Sequence, residues 1–154
     1  MMVRSNDEGL SGVTGPTGPA LPLDGFAAFR NDIQNIPLGG ALIQFPLTSA
    51  PFYPSPGYTS PFFTAAFNGL YTVSTTVRLS AIAPGDAAVG IFLNGIAIPA
   101  TVEPFTGAPS TYNHSITLSL LAGQTISVGV GTLADGTVVD IAPGDFTVLL
   151  VRPT

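Results

Sequence analysis

Apolar and polar residues alternate strictly through the middle of the chain. Between residues 71 and 79 the odd positions are mostly apolar and the even positions are polar. A period of two is typical of a strand that is buried on one face. The pattern therefore predicts a half-buried strand whose inward face carries Tyr71, Val73, Thr75, Val77 and Leu79.

The same alternation recurs further along the chain and is punctuated by turn signals. One apolar series ends at Asn94-Gly95, a dipeptide that favours the tight turn of a β-hairpin. A second series ends at "AGQ" (122–124), which predicts a turn into a third series. The apolar positions of the three predicted strands are Val89, Ile91 and Leu93; Ile116, Leu118 and Leu120; and Ile126, Val128 and Val130.

The last apolar segment, "FTVLLV" (146–151), has apolar residues on both of its faces. A strand of this kind needs cover on both sides. We expect one side to meet the core and the other to meet a partner subunit. The candidates for that interface are Phe146, Val148, Leu149, Leu150 and Val151.

Two further segments bear on the fold class. In "FAAFRNDIQNI" (26–36), helical spacing allows a short helix, but a strand or an irregular segment is favoured. The pentapeptide "IAPGD" occurs at Ile82–Asp86 and at Ile141–Asp145, and its Pro-Gly step predicts a type II turn directly before a strand in each case. The sequence predicts an all-β protein of eight to ten strands, arranged as an antiparallel two-sheet sandwich with jelly-roll topology.

The charge of the chain excludes two classes of partner. Only 8% of its 154 residues are charged, against about 25% in an average domain. Lysine is absent, and four arginines face nine acidic residues for a net charge of -5. So few cations cannot neutralise many phosphates, which argues against nucleic-acid binding and against attraction to anionic lipid. The mean hydropathy of +0.48 instead favours a subunit interface.

Other features narrow the chemistry. The chain has no cysteine, which excludes disulfides, thiolate metal sites and cysteine nucleophiles. We expect no signal peptide, because the first ten residues contain no apolar run. We also expect no insertion into a membrane, because no apolar stretch approaches the roughly eighteen residues that a spanning helix needs.

The front of the chain carries a different pattern. Glycine recurs with a period of three at Gly9, Gly12, Gly15 and Gly18, and the repeat stops at Leu21. This is the spacing of collagen, in which only glycine fits at the axis of three wound chains. Four triplets are too few to hold a triple helix alone. The sequence thus predicts a leader with a collagen-like stub over residues 1–21 and a globular head over residues 22–154.

Several motifs of the head resemble those of a known family. "FTAAFNGLYTV" places Phe63 before Gly69, Tyr71 and Val73, which resembles the conserved core of the complement C1q and tumour necrosis factor-like jelly rolls. "IFLNG" (91–95), "LSLLAGQTISV" (118–128) and "GDFTVLLV" (144–151) are similar to later strands of that family and follow in the same order. Gln124 stands where the family commonly carries Gly-Asp.

The bacterial branch of the family combines such a head with Gly-Pro-Thr triplets, and the collagen-like glycoproteins of the Bacillus exosporium are similar to this chain in both respects. The resemblance implies a homotrimeric head that caps a collagen-like stalk and aligns its three chains. It also leads us to expect a longer stalk in the natural protein.

Three candidate sites have simpler explanations. His114 is the single histidine, and we expect it to be packed or interfacial, since neither a second histidine nor a G-x-S-x-G motif accompanies it. Calcium is the less favoured interpretation of four acidic residues predicted in turns, because no D-x-D-x-D loop is present and the two IAPGD acids already have a role in their turns. These are Asp86, Asp135, Asp140 and Asp145.

The segment Phe45–Phe63 is rich in proline and aromatic residues. It is either a stiff platform for sugars or a protein partner, or, as we favour, an ordered loop that packs on the sandwich.

The sequence therefore predicts a non-enzymatic structural head without cofactor, located on a bacterial spore exosporium or another extracellular surface. Other surface or exosporium proteins are possible partners. The alternatives are a recognition head for a host or environmental ligand and the tip of a phage or viral fibre.

Overall fold

The computed structural model describes residues 23–37, 39–48, 57–82, 87–105, 109–132 and 139–154. Within these ranges the chain forms two antiparallel sheets and one turn of 3-10 helix. The collagen-like glycines Gly9, Gly12, Gly15 and Gly18 lie outside the described residues, as does the predicted boundary between leader and head.

The first sheet, sheet A, has the strand order β11-β7-β13-β1-β4, and β2 pairs with one end of β13. Its two longest strands, β7 and β13, lie side by side. Its members are β1 (Gly25–Arg30), β2 (Gln34–Ile36), β4 (Leu47–Thr48), β7 (Gly69–Ile82), β11 (Ser110–Leu120) and β13 (Val139–Pro153).

The second sheet, sheet B, has the order β10-β8-β12-β6-β5, with β3 on β12 and β9 on β8. The 3-10 turn (Pro99–Thr101) precedes β10. Its strands are β3 (Ala41–Leu42), β5 (Tyr58–Thr59), β6 (Phe62–Thr64), β8 (Ala87–Leu93), β9 (Ile96–Ala97), β10 (Glu103–Phe105) and β12 (Thr125–Thr132).

The core lies between the two sheets and is built around aromatic rings. Phe26 of β1 stacks on Tyr58 with ring centroids 3.9 Å apart and meets Phe146 edge-on at 5.0 Å. Phe63 packs against both Phe26 and Tyr71. Offset and edge-to-face pairs of this kind add to the free energy gained from burying the rings. The two-sheet, all-β prediction is confirmed.

The alternation in the sequence was a reliable guide to β7, β8 and β12. All five predicted inward positions of β7 are buried, including Thr75, whose hydroxyl donates to the carbonyl of Asp145 at 2.7 Å. Leu93 pairs with Ile96 across the predicted hairpin. Asn94 and Gly95 both have positive φ, 50° and 79°, as a type I′ turn requires.

One expectation about the elements is confirmed and another is corrected. The segment 26–36 forms β1 and β2 without a helix, as favoured. Thirteen strands occur in the described ranges, more than the eight to ten expected, because four of them have only two residues.

The second IAPGD copy is not a turn before a strand. Ile141–Asp145 lies inside β13, where the pairing with β7 shifts between Ala142 and Asp145, as in a β-bulge. Most of the first copy lies outside the described residues.

Candidate functional site

The centre of the outer face of sheet A is polar and uncharged. Thr72 of β7 lies between Thr117 of β11 and Leu149 of β13. The hydroxyl oxygens of Thr72 and Thr117 are 3.2 Å apart. The next row joins Ser115, Ser74 and Thr147, and its two serine hydroxyls are 2.9 Å apart. Charged side chains occur only in the rows on either side of these two.

Apolar side chains lie beside this hydroxyl array. Phe29, Leu149 and Val151 are 36%, 39% and 62% exposed in the single chain. Leu149 belongs to one of the two uncharged rows, while the flanking rows contain Asp145 and Arg152. The result is an uncharged strip with exposed apolar groups and one charge of each sign at its margins. This strip (Leu149 with the Thr72 and Ser74 rows) is called the sheet A face below.

Among the described strands, β11 lies at one edge of sheet A and β4 at the other, and residues 111–120 of β11 have no charge, proline or register shift that would protect against pairing. Eleven consecutive residues, Ser110 to Leu120, pair with β7 without a register shift. This run contains no charge and no proline. Long, flat edges usually carry such features, because their unpaired backbone groups otherwise invite another chain. The edge of β11 is thus suited to being covered.

The predicted interface residues divide between two environments. Phe146 and Val148 are completely buried in the core of the chain, so their assignment to a subunit interface is corrected. The reason is that β13 lies in the middle of sheet A and turns one of its faces inward. Leu150 packs against the core, Leu149 is exposed on the outer side beside Thr72, and Val151 is exposed at a register shift of β13.

The residues that carried the family resemblance lie together at the start of β7. Phe63, Tyr71 and Val73 are fully buried. Gly69 is also required by packing, because a Cβ there would be 2.6 Å from both the carbonyl oxygen of Arg152 and a methyl carbon of Leu150. These residues hold the core; they do not form a surface site.

A buried acidic residue that the sequence did not single out joins the first described residues to the core. Asp24 is only 7% exposed, and its Oδ2 accepts hydrogen bonds from the Tyr71 hydroxyl at 2.7 Å and the Ala66 N–H at 2.8 Å. Its carbonyl accepts from the N–H of Leu150 at 2.8 Å. Burial raises the pKa of the Tyr71 hydroxyl well above its usual value, and the Asp24 carboxylate acts in the same direction.

The single histidine packs as expected. The ring of His114 stacks on Tyr112, with centroids 5.8 Å apart and planes 12° from parallel. Tyr112 is fully buried and donates a hydrogen bond to the carbonyl of Thr101 at 2.7 Å. Burial raises the pKa of Tyr112 to about 12, and the nearby Glu103 carboxylate acts in the same direction.

The four calcium candidates are not brought together in the described ranges. Asp86 and Asp135 lie outside them, and Asp140 and Asp145 are in β13 instead of turns, which corrects their predicted placement. Among the described residues, no group of three or more acidic or histidine side chains could hold a metal ion. None of the helical structure in those ranges is long and apolar enough to cross a membrane.

The described part of the aromatic segment contributes to packing. Phe45 and Phe63 are buried, and the Tyr58 hydroxyl donates to the Phe45 carbonyl at 2.6 Å. Residues 49–56 lie outside the described ranges. Beside this segment an open groove of about 640 Å³ is lined by hydroxyl-bearing, small and apolar residues. Its lining includes Thr59, Ser60, Pro61, Phe62, Thr64 and Thr125.

Comparisons with known proteins bear on the fold. No protein-family model matches the chain, and no curated protein matches it. Two solved structures are similar in shape. The globular domain of the zebrafish complement 1qA protein matches at a TM-score of 0.59 and 12% identity, over 85% of this chain and 99% of that one.

The second structure is the tumour necrosis factor Eiger from S. frugiperda, with a TM-score of 0.60 and 13% identity, over 86% of this chain and 95% of that one. The chain therefore has the C1q/TNF-like jelly-roll fold.

Proposed function

We propose that this protein is a non-enzymatic head domain that assembles into a homotrimer and caps a collagen-like stalk. The fold supports this function, because C1q/TNF-like jelly rolls are the heads that the sequence motifs resemble. The period of three in the leader supports the stalk, since collagen requires glycine at every third residue and three chains in register.

The observation that carries the proposal is the sheet A face. A surface with exposed Leu149 and Val151 beside uncharged hydroxyl groups loses little on leaving water, because no ion has to be desolvated at its centre. In each hydroxyl pair, such as Ser74 and Ser115, one hydroxyl donates to the other, which satisfies part of their hydrogen-bonding capacity. The face is therefore suited to burial against another copy.

The edge of β11 supplies the second surface of the proposed contact between subunits, opposite the sheet A face of the neighbouring copy. In a cyclic assembly each subunit offers one surface to the next subunit and a different surface to the previous one. The sheet A face and the β11 edge meet at Thr117, so they can serve as two such surfaces on one chain. Closing the ring at three subunits aligns three leaders, which a collagen triple helix needs.

The proposed location is the exosporium of a bacterial spore or another extracellular surface. The glycine repeat, which includes one Gly-Pro-Thr triplet (15–17), and the lysine-free head support it, because they are similar to those of bacterial collagen-like surface proteins. Other proteins of that surface are the expected neighbours of the stalk.

The proposal is tested by placing a charge on the sheet A face. Leu149→Asp would bury a carboxylate in each of the three subunit contacts of the trimer. We therefore expect the variant to be monomeric by light scattering, while the unchanged chain is trimeric. Ile33→Asp is the matched control, since Ile33 is 64% exposed and lies off this face between β1 and β2. A Leu149→Asp variant as large as the unchanged chain contradicts the proposed interface.

The groove supports a second candidate function, recognition of a sugar. Phe62 is 40% exposed on its wall, and threonine hydroxyls stand nearby. An aromatic ring flanked by hydroxyls can stack on a sugar and hydrogen-bond to it. Binding to immobilised oligosaccharides that Phe62→Ala abolishes would establish this function, and equal binding by both proteins would exclude it.

A further inference from the structure

The first described residues lie beside two turns that carry exposed apolar side chains. Phe67, between β6 and β7, is 42% exposed, and Leu121, between β11 and β12, is 60% exposed. Phe67 and Leu121 together are called the junction surface. Neither side chain belongs to the core or to the sheet A face.

Two hydrogen bonds, both donated by backbone N–H groups, join these two turns. The Ala122 N–H donates to the side-chain oxygen of Asn68 at 2.8 Å. The Gly123 N–H donates to the carbonyl of Ala65, also at 2.8 Å. The turn that carries Leu121 is thus fastened to the turn that carries Phe67, and both keep a fixed position relative to β7.

Asp24 fixes the point at which the chain reaches this surface. Its carboxylate accepts from the N–H of Ala66, the residue before Phe67, and its carbonyl accepts from Leu150. Leu23, the first described residue, is therefore bonded to a residue that holds the neighbour of Phe67 by a hydrogen bond. Leu23 itself is 70% exposed.

The segment that precedes this point has the right chemistry to cover the surface. Residues 19–22, Pro-Ala-Leu-Pro, separate the last glycine of the repeat from Leu23 and carry no charged or polar side chain. Four extended residues reach about 13 Å, enough to cross two neighbouring turns. Two prolines restrict the free segment, so ordering it costs less conformational entropy.

We propose that the junction surface binds residues 19–22 of its own chain. Leu21 then shields Phe67 and Leu121 from water, and the collagen-like leader leaves the head in a fixed direction. This inference rests on the proposed function in one respect, that the leader is the end of a stalk. Its physical content, docking of a tetrapeptide on two turns, concerns a single chain.

A spin label tests the docking directly, because the chain has no cysteine of its own. Ala20→Cys in the full chain introduces one thiol for a nitroxide. We expect an immobilised spectral component, and we expect it to be lost when Phe67→Ser and Leu121→Ser are combined. Ile33→Ser, at an equally exposed apolar position on another part of the head, should leave the spectrum unchanged.

Amide hydrogen exchange at Ala20 and Leu21 provides a readout without a label. The inference predicts slower exchange in the unchanged chain than in the double variant. Equal label mobility and equal exchange rates in the two backgrounds would overturn it. Light scattering on the same samples separates the two claims: a monomeric mass removes the proposed trimer, whereas the spectra still report docking within one chain.

Discussion

The carboxylate of Asp24 accepts a hydrogen bond of 2.7 Å from the hydroxyl of Tyr71, although the two residues are 47 positions apart. The Tyr71 hydroxyl oxygen is also 2.9 Å from the carbonyl oxygen of Phe67, so its one hydrogen is shared between the two acceptors. One buried side chain of β7 thus holds both the first described residues and the turn that leads into β7. The burial of a carboxylate is compensated by the donors that surround it.

Substitutions of Tyr71 separate the contribution of its hydroxyl from that of its ring. Tyr71→Phe should lower the free energy of unfolding by about 1–3 kcal/mol, because the buried carboxylate of Asp24 loses a donor. Tyr71→Ala should lower it by about 3–5 kcal/mol, because the ring is fully buried in the core. Urea unfolding of the two variants measures both values.

Thr72→Ala is the control for this pair, since Thr72 lies on the opposite face of the same strand. In a monomeric background, Thr72→Ala should lower the free energy of unfolding by no more than about 0.5 kcal/mol, as most surface substitutions do. Small and equal losses for the Tyr71 and Thr72 variants would mean that the burial described for β7 is wrong.

Glycine at the start of β1 is required by both packing and backbone conformation. Gly25 has a φ of 146°, and a Cβ there would be 2.9 Å from the Cα of Leu149 and closer still to the Val148 carbonyl oxygen. We expect Gly25→Ala to cost about 2 kcal/mol or more in unfolding experiments. Gly95→Ala should cost less, because nothing lies within 4 Å of its Cβ and only the positive φ of 79° opposes the substitution.

Alkaline pH should destabilise the head through its buried tyrosines. The pKa of Tyr112 is raised to about 12 and that of Tyr71 is also raised, mainly by burial. An unfolded tyrosine ionises near pH 10, so above that pH the folded state binds more protons than the unfolded state. The stabilising contribution is complete below pH 10 and is lost as the pH rises from 10 towards 12.

The measurement is the free energy of unfolding between pH 9 and 12, at fixed protein concentration. Tyr112→Phe should make the decrease less steep, since one group with a raised pKa is removed. A decrease of the same steepness in the variant would show that Tyr112 does not contribute to it.

The sequence predicted what depends on local periodicity and missed what depends on tertiary position. The alternation around Tyr71 and the Asn94-Gly95 turn were sufficient for β7 and for the hairpin, because a strand buried on one face repeats every two residues. Asp24 gave no signal, since an acidic residue near a glycine- and proline-rich leader usually faces water. Its burial follows only from the approach of Tyr71 and the Ala66 N–H.

The errors at β13 have the same origin. A strand that is apolar on both faces does not reveal how many of its residues one protomer buries, and Phe146 proved to be core while Leu149 is exposed. Likewise, Pro-Gly within Ile141–Asp145 suggested a turn, but pairing with β7 on one side keeps the segment in the sheet as a bulge. In both cases the outcome depends on pairing with neighbouring strands, which the local sequence does not show.

Melting experiments test what stabilises the assembled head. The proposed trimer couples folding to association through apolar burial between subunits, so we expect the melting temperature of the reversible transition to rise with protein concentration. It should change little between low and moderate salt, since one salt bridge, Arg30–Asp32, is found among the described residues. A large fall on adding EDTA would restore a calcium role for Asp86, Asp135, Asp140 or Asp145.

The central claim is that the head is a homotrimer, and its mass in solution tests this most directly. Multi-angle light scattering of the purified chain at micromolar concentration should give three times the 15.7 kDa of one chain. The same mass should persist in Ile33→Asp and be lost in Leu149→Asp. A mass of one chain for the unchanged protein, at a concentration where it is folded, would contradict the account.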